Sequence, residues 1–329
     1  MTTTYLPGNK QWLGLAKETT YGTPVATPTI WIPVDTPVWK PVVTPLVDQA
    51  LRGDMGTDFG QTQGMRHDEL TYKTYIYQDS AFPHFLAALG NPDTVVGTAT
   101  PYTHKTSLYN GSTSNNAQPP SYTGFLYQVD GKVVQIPGMV IGDVKVTVKA
   151  DTLPTIDVQW LGLPGAFITA PSNTPSTLQP YPPFTASVTL GGTALNAESD
   201  ITIDIKRNTA AIPVLNGTQS PLAIFGGPVT VTGTLGAIYQ GTTDTHLTDF
   251  LANTQPALVL AITPQGVSAQ PLTFQMSKVA FDTAEPAGSN SSWMTLQSNF
   301  KALMNATDAL DGNLSPIQVQ LTNATATPF

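Results

Sequence analysis

DQALRGDMGTDFGQTQGMRHDELTYKTYIYQDSAFPHFLAAL, residues 48–89, decides how the chain is read. Leu51-Arg52-Gly53 opens it as a turn, and a Gly-rich loop follows. A strand is expected from Glu69 to Gln78. A short helix, cued by Ser80, is expected to run to about Leu89 and stop at Gly90. A similar arrangement returns about 164 residues later. Leu215-Asn216-Gly217 echoes Leu51-Arg52-Gly53, the strand Val229 to Tyr239 echoes Leu70 to Tyr77, and Phe250-Leu251 echoes Phe85-Leu86. The helix of this second copy is expected after a Thr245 cap. Three landmarks at nearly one spacing imply two tandem copies of one unit.

Composition agrees with a two-unit, strand-based chain. A length of 329 residues suits about two domains. Twenty-nine prolines and 27 glycines exclude long helices through most of it. Period-two alternation marks the strands. Val144, Val146 and Val148 alternate with polar residues, as do Ile156, Val158 and Trp160, and a hairpin about Thr152-Leu153-Pro154 joins the two runs. Ile201, Ile203 and Ile205 alternate in the second half, and so do Ile317, Val319 and Leu321. One apolar and one wet face per strand is the pattern of antiparallel sheets. The expected fold is all-β, mainly antiparallel, as two tandem β-sandwich or barrel-forming units, each with a short flanking α-helix. The expected divisions are an N-terminal arm over 1–33, unit 1 over 34–162, a Pro/Gly-rich linker over 163–183 and unit 2 over 184–329. Residues 110–121 read as a long exposed loop, and Trp293 to Leu310 as partly helical.

Charged residues make up only 11% of the chain, against about 25% in an average protein, and the net charge is −8. A surface so poor in charge is compatible with burial in a large assembly, because interface cores are depleted in charge. The acidic balance opposes tight nucleic-acid binding, which needs clustered Lys and Arg. No window approaches the roughly 20 apolar residues of a membrane helix. With no cysteine, there is no disulfide framework and no thiolate metal site.

Catalytic patterns are sparse. His67, His84, His104 and His246 form no metal-binding spacing. His67-Asp68-Glu69 is the one dense polar trio, but neighbours along a strand point to opposite faces. Asp200 and Asp204 share a strand face. Such a pair can hold Ca²⁺ or serve a glycosidase, but a wet strand face carrying acids is the more ordinary explanation. Gly60 to Gly64 lacks the Lys-Ser/Thr of a phosphate loop and reads as a mobile contact loop. No cofactor is expected.

Residues 14–24, Gly-Leu-Ala-Lys-Glu-Thr-Thr-Tyr-Gly-Thr-Pro, precede Pro28-Thr29 and Ile32-Pro33-Val34. Tyr102-Thr103-His104 and Pro119-Pro120-Ser121-Tyr122-Thr123 follow in the middle of the chain. The combination resembles the major tail tube proteins of long-tailed bacteriophages. That resemblance implies a structural protein with no enzymatic activity. Its units stand six to a ring, strands side by side in a continuous inner β-barrel, and the rings stack into a tube. The tube houses the tape-measure protein, meets terminator and distal tail proteins at its ends, and lets DNA pass during ejection. Two units per chain imply a trimeric, pseudo-hexameric ring; many relatives instead use one unit per chain in a homohexamer. Trp12, Tyr21, Trp31, Arg52, Asp54 and Phe59 are the expected contacts between rings. Glu69, Lys73, Asp143, Lys145, Asp200 and Asp204 are the expected lumen residues, with the outer face as the alternative. The rival function is a carbohydrate-binding β-sandwich adhesin.

Overall fold

The computed structural model describes residues 5–111, 115–267 and 269–329. Residues 1–4 of the expected arm and 112–114 of the expected exposed loop lie outside these. The first half contains β1 (Leu13–Lys17), β2 (Ile30–Ile32), β3 (Asp35–Asp48), β4 (Gly60–Tyr75), α1 (Phe82–Leu89), β5 (Thr94–Val96), β6 (Tyr102–Ser107), β7 (Tyr122–Tyr127), β8 (Lys132–Lys149), β9 (Thr152–Gly162) and β10 (Ala166–Thr169). The second contains β11 (Ser187–Leu190), β12 (Thr193–Leu195), β13 (Glu198–Ala211), β14 (Ile224–Ile238), α2 (Thr245–Ala252), β15 (Leu258–Ile262), β16 (Leu272–Met276), β17 (Val279–Ser289), β18 (Ser292–Ala302) and β19 (Gln318–Asn323). All pairings are antiparallel, and among the described residues neither sheet closes into a barrel.

The main sheet carries the strands in the order β3–β4–β9–β8–β13–β14–β18–β17. Strand β8 is long enough to serve twice. Its second half pairs with β9 and β13, and its first half pairs with β7 and β10, extending through β7 to β1 and β2. The second sheet runs β12–β11–β15–β16–β19–β6–β5. The alternating apolar residues meet in one core. Val144, Val146, Ile156, Trp160, Ile203, Leu260, Phe274, Phe300 and Val319 are all fully buried there. The expected all-β, mainly antiparallel class is what the chain adopts.

The four strands β3–β4–β9–β8 have a counterpart in β13–β14–β18–β17, and the register recurs too. The β8–β9 hairpin pairs Lys149 with Thr152 and Ile141 with Trp160; 140 residues later β17–β18 pairs Ser289 with Ser292 and Phe281 with Phe300. Register shifts at Ile141/Asp143 and Thr147/Lys149 return at Phe281/Thr283 and Ala287/Ser289. Strand β13 follows β3 by 164 residues, so that the shift at Val43/Pro45 returns at Arg207/Thr209. The helices follow at 163, with left-handed C-caps at Gly90 and Asn253. At that spacing Phe85 corresponds to Thr248, and Phe250 to Ala87. The two phenylalanines matched in the sequence reading are therefore offset by two positions.

Several local expectations are corrected. Residues 13–17 are not an arm: Leu13, Leu15 and Ala16 are fully buried, and β1 lies between β7 and β2. The segment read as linker contains β10, paired with β8. Gly60 to Gly64 belongs to β4 rather than to a loop. Ser80 makes no cap for α1, whose N-cap position is Ala81 with Pro83 in the first turn. The cap of α2 is Asp244, which accepts from the His246 N–H, and not Thr245. Trp293 to Ala302 is strand, because Leu296, Ser298 and Phe300 alternate inward at period two. Gln318, expected on a wet face of β19, is buried because β6 and β16 flank it and its side chain reaches the Asp308 carbonyl. The hairpin between β8 and β9 turns at Ala150-Asp151, two residues earlier than expected.

Candidate assembly surface

One face of the main sheet packs on the core, so the other is built from the polar residues between the buried ones. Register aligns these into rows across the strands. One row runs Asp35, Lys73, Asp157, Lys145, Asp204, Thr232 and Lys301 from β3 to β18. Its signs alternate until Thr232. A second row is almost all hydroxyl: Thr155, Thr147, Thr202, Thr234, Asn299 and Thr283. A third carries Thr71, Gln159, Asp143, Lys206 and Thr230. The structure thus brings Glu69, Lys73, Asp143, Lys145, Asp200 and Asp204 onto a single face that spans both halves.

Three lysines there are held by acids on neighbouring or same-face positions. Lys40 reaches Glu69 at 3.2 Å, Lys73 reaches Asp157 at 3.5 Å, and Lys206 reaches Asp204 at 2.8 Å. Such exposed pairs stabilise by only about 0–1 kcal/mol each, so their consequence is to offset part of the charge on this face rather than to hold the sheet together. Asp200 lies opposite Lys149 rather than converging with Asp204.

Asp143 sits diagonally from Asp204 beside Lys206. Partial burial, then the neighbouring Asp204 carboxyl, push Asp143 up to about 7 against the opposing pull of Lys206 and Lys145. The folded chain therefore binds this proton more tightly than the unfolded one. The associated stability is complete below about pH 4 and is lost as the pH rises through about 7. Asp143→Asn, which mimics the protonated acid, is expected to raise the melting temperature at pH 8 and leave it nearly unchanged at pH 4. A gain of equal size at both pH values would contradict this.

The residues expected to join rings divide into two groups. Trp12 stacks on Tyr127 of its own chain at 5.5 Å. The Tyr21 hydroxyl accepts from the Ile224 N–H at 2.6 Å. Trp31 is half-buried opposite Gly14 in the β1–β2 pair. These three anchor the N-terminal segment to its own fold. Arg52, Asp54 and Phe59 lie in the exposed β3–β4 connection, where Arg52 pairs with Asp48 and covers the Phe59 ring at 4.6 Å. Leu51 and Met55 beside them are fully exposed, and so is Leu215 in the corresponding β13–β14 connection.

Glu18 is the residue whose role sequence reasoning missed. Its buried carboxylate accepts from the Gly22 and Gly138 N–H groups, both at 2.8 Å, and from the Ser121 and Thr123 hydroxyls at 2.7 and 2.8 Å. Gly22 has φ +71°, a left-handed turn that favours glycine. The Lys-Glu-Thr-Thr-Tyr-Gly-Thr run was visible as a motif. Its partners lie about 100 residues away and gave no local signal. In the polar trio, Asp68 turns inward to Trp39 Nε1 at 2.7 Å, to Arg66 and to the Gly165 N–H, while Glu69 faces the other way. Among the described residues no cluster of His, Cys, Asp and Glu has metal-binding geometry.

No curated protein matches the chain. The family model described as phage tail tube protein matches residues 8–310. That match spans the N-terminal motif, the whole main sheet and both helices, and by it this chain belongs to the phage tail tube protein family.

Proposed function

We propose that three copies of this chain close a ring in which the main sheet's polar face lines a central channel. The rings stack into the tail tube of a long-tailed phage, assembled in the host cytoplasm. There the channel houses the tape-measure protein and later conducts DNA. Terminator and distal tail proteins meet its two ends. The observation that carries this reading is the eight-stranded sheet itself. Two four-strand halves of like order and register join side by side within one chain, and one polar face runs across the junction. Three chains then supply six such halves. The duplicated units are assigned as residues 34–162 and 184–329, with β1 and β2 built onto the first.

Electron microscopy of the purified chain tests the proposal. Rings or tubes with a stain-filled channel are expected; a protein that stays monomeric under every condition that polymerises related tubes would contradict it. The channel charge is a separate matter. Three of the lysines on its wall are already held by acids, so DNA phosphates would meet fewer free cations able to displace their counterions.

A further inference from the structure

The outer edges of the main sheet are β3 and β17; among the described residues β3 pairs only with β4, and β17 only with β18. Because the strands beside them recur in register, the internal β8–β13 junction is a template for what each edge accepts. Resting on the ring reading above, we infer that β17 of one copy pairs antiparallel with β3 of the next, placing Glu285 opposite Lys40.

The register follows from the recurrence. In the internal junction Asp143 faces Lys206, Lys145 faces Asp204, and Thr147 faces Thr202. Moving β8 forward by 140 residues and β13 back by 164 turns these pairs into Thr283–Val42, Glu285–Lys40 and Ala287–Val38. Register shifts bracket this window on both strands, at Phe281/Thr283 and Ala287/Ser289 and at Asp35/Val38 and Val43/Pro45, and none falls inside it. The internal Lys145–Asp204 pair becomes Glu285–Lys40, opposite in charge with the signs exchanged. Nothing in the transfer of register requires that complementarity.

Backbone chemistry is consistent with it. A proline within a paired edge strand turns its nitrogen to the open side. Pro41 and Pro286 therefore occupy positions that point outward, and Lys40 and Glu285 fall at the close, non-hydrogen-bonded positions of the new ladder, with Cα atoms about 4.5 Å apart. The same prolines remove donors from both edges. A thinned ladder guards a free subunit against indiscriminate edge pairing.

The helices supply an independent sign. Helix α1 lies over the β8–β13 side, every residue is buried, and the Arg207 guanidinium of β13 donates to the Ala88 carbonyl at its C-terminal end. Helix α2 packs on β17 in the corresponding place with only His246 buried. Ala88 is 1% exposed, while Leu251 at the same helical position is 72% exposed. A second copy beside β17 would cover α2 as the second half covers α1.

The chain has no cysteine, so engineered pairs report without background. Val38 and Ala287 lie on opposite edges of an eight-stranded sheet, roughly 30 Å apart at about 4.8 Å per strand. A disulfide between them is therefore intermolecular. In assembled Val38→Cys/Ala287→Cys protein, oxidation is expected to give covalent dimers and trimers ending in a closed trimer. Val42→Cys/Ala287→Cys, four residues out of register, is expected to cross-link at least tenfold less. Lys40→Glu and Glu285→Lys should each slow assembly, and the double exchange should assemble faster than Lys40→Glu alone, although it still sets Glu69 against a like charge within the chain. Normal tubes in which the offset pair cross-links as well as the registered one would overturn the register while leaving the ring standing. Absence of any ring from the unmodified chain would overturn both.

Discussion

Glu18→Ala is expected to cost about 3–5 kcal/mol of folding stability, a large share of the roughly 5–15 kcal/mol typical of a folded protein. The substitution strands two backbone N–H groups and two hydroxyls that all aim at one buried carboxylate. Those donors belong to the Gly22 turn, to the Ser121–Thr123 end of β7 and to the Gly138 bend in β8. One side chain thus fixes β1, β7 and β8 relative to one another. Tyr21→Phe removes the acceptor for the Ile224 N–H and the donor to the Gly138 carbonyl at 3.3 Å, and is expected to cost about 1–2 kcal/mol. Urea unfolding of the unassembled chain separates the two. A Glu18→Ala variant as stable as the parent would mean that water replaces the carboxylate, and that the motif serves contacts outside the chain.

Trp160→Ala is expected to be comparably severe, about 3–5 kcal/mol. The Trp160 side chain is fully buried, and its indole N–H donates to the Tyr72 hydroxyl at 3.0 Å. Tyr72 in turn lies 2.8 Å from His84 Nε2, and His84 Nδ1 lies 3.1 Å from the Ala81 carbonyl. Burial lowers His84 to about 4, so the ring is neutral: Nδ1 donates to the carbonyl and Nε2 accepts from Tyr72. The second half does without this chain of hydrogen bonds. Phe300 occupies the place of Trp160 and Leu235 that of Tyr72. There Gly233 must stay bare, because an added Cβ would fall 2.4 Å from the Phe300 ring and 2.1 Å from the Thr202 carbonyl oxygen. Trp160→Phe should therefore cost only about 1–2 kcal/mol, the price of one indole donor and some contact area. Equal losses for alanine and phenylalanine would show that the hydrogen bond, not the packing, holds the site.

Much of the fold was legible because period-two alternation reports burial directly. Val144 to Val148, Ile156 to Trp160 and Ile201 to Ile205 all face the core as their spacing requires. The same alternation placed six lumen candidates on one polar face. What it could not provide was partner choice. Strand β8 joins the halves through β13 because its second half is apolar on one side only, and no local feature names that neighbour. The N-terminal segment misled for a related reason: its Thr and Pro content reads as an arm, while Leu13, Leu15 and Ala16 sit in mid-sheet. Helix starts were misplaced because Ser80 and Thr245 resemble caps in sequence, whereas the carboxylate of Asp244 reaches the His246 N–H and α1 uses no side-chain cap. The Phe85–Phe250 match failed because helical register follows the C-caps, Gly90 and Asn253, and not the identity of one buried ring.

The central claim is that the polar face of the main sheet lines a channel made by three chains. Reconstruction of the assembled tube by electron cryo-microscopy tests it most directly. The account predicts threefold rings with pseudo-sixfold inner walls, in which the row from Asp35 through Lys73, Asp157, Lys145 and Asp204 faces the channel and α1 and α2 lie outside it. A channel lined by the β5–β6–β19 sheet, or a ring of six chains with β3 and β17 left unpaired, would contradict it.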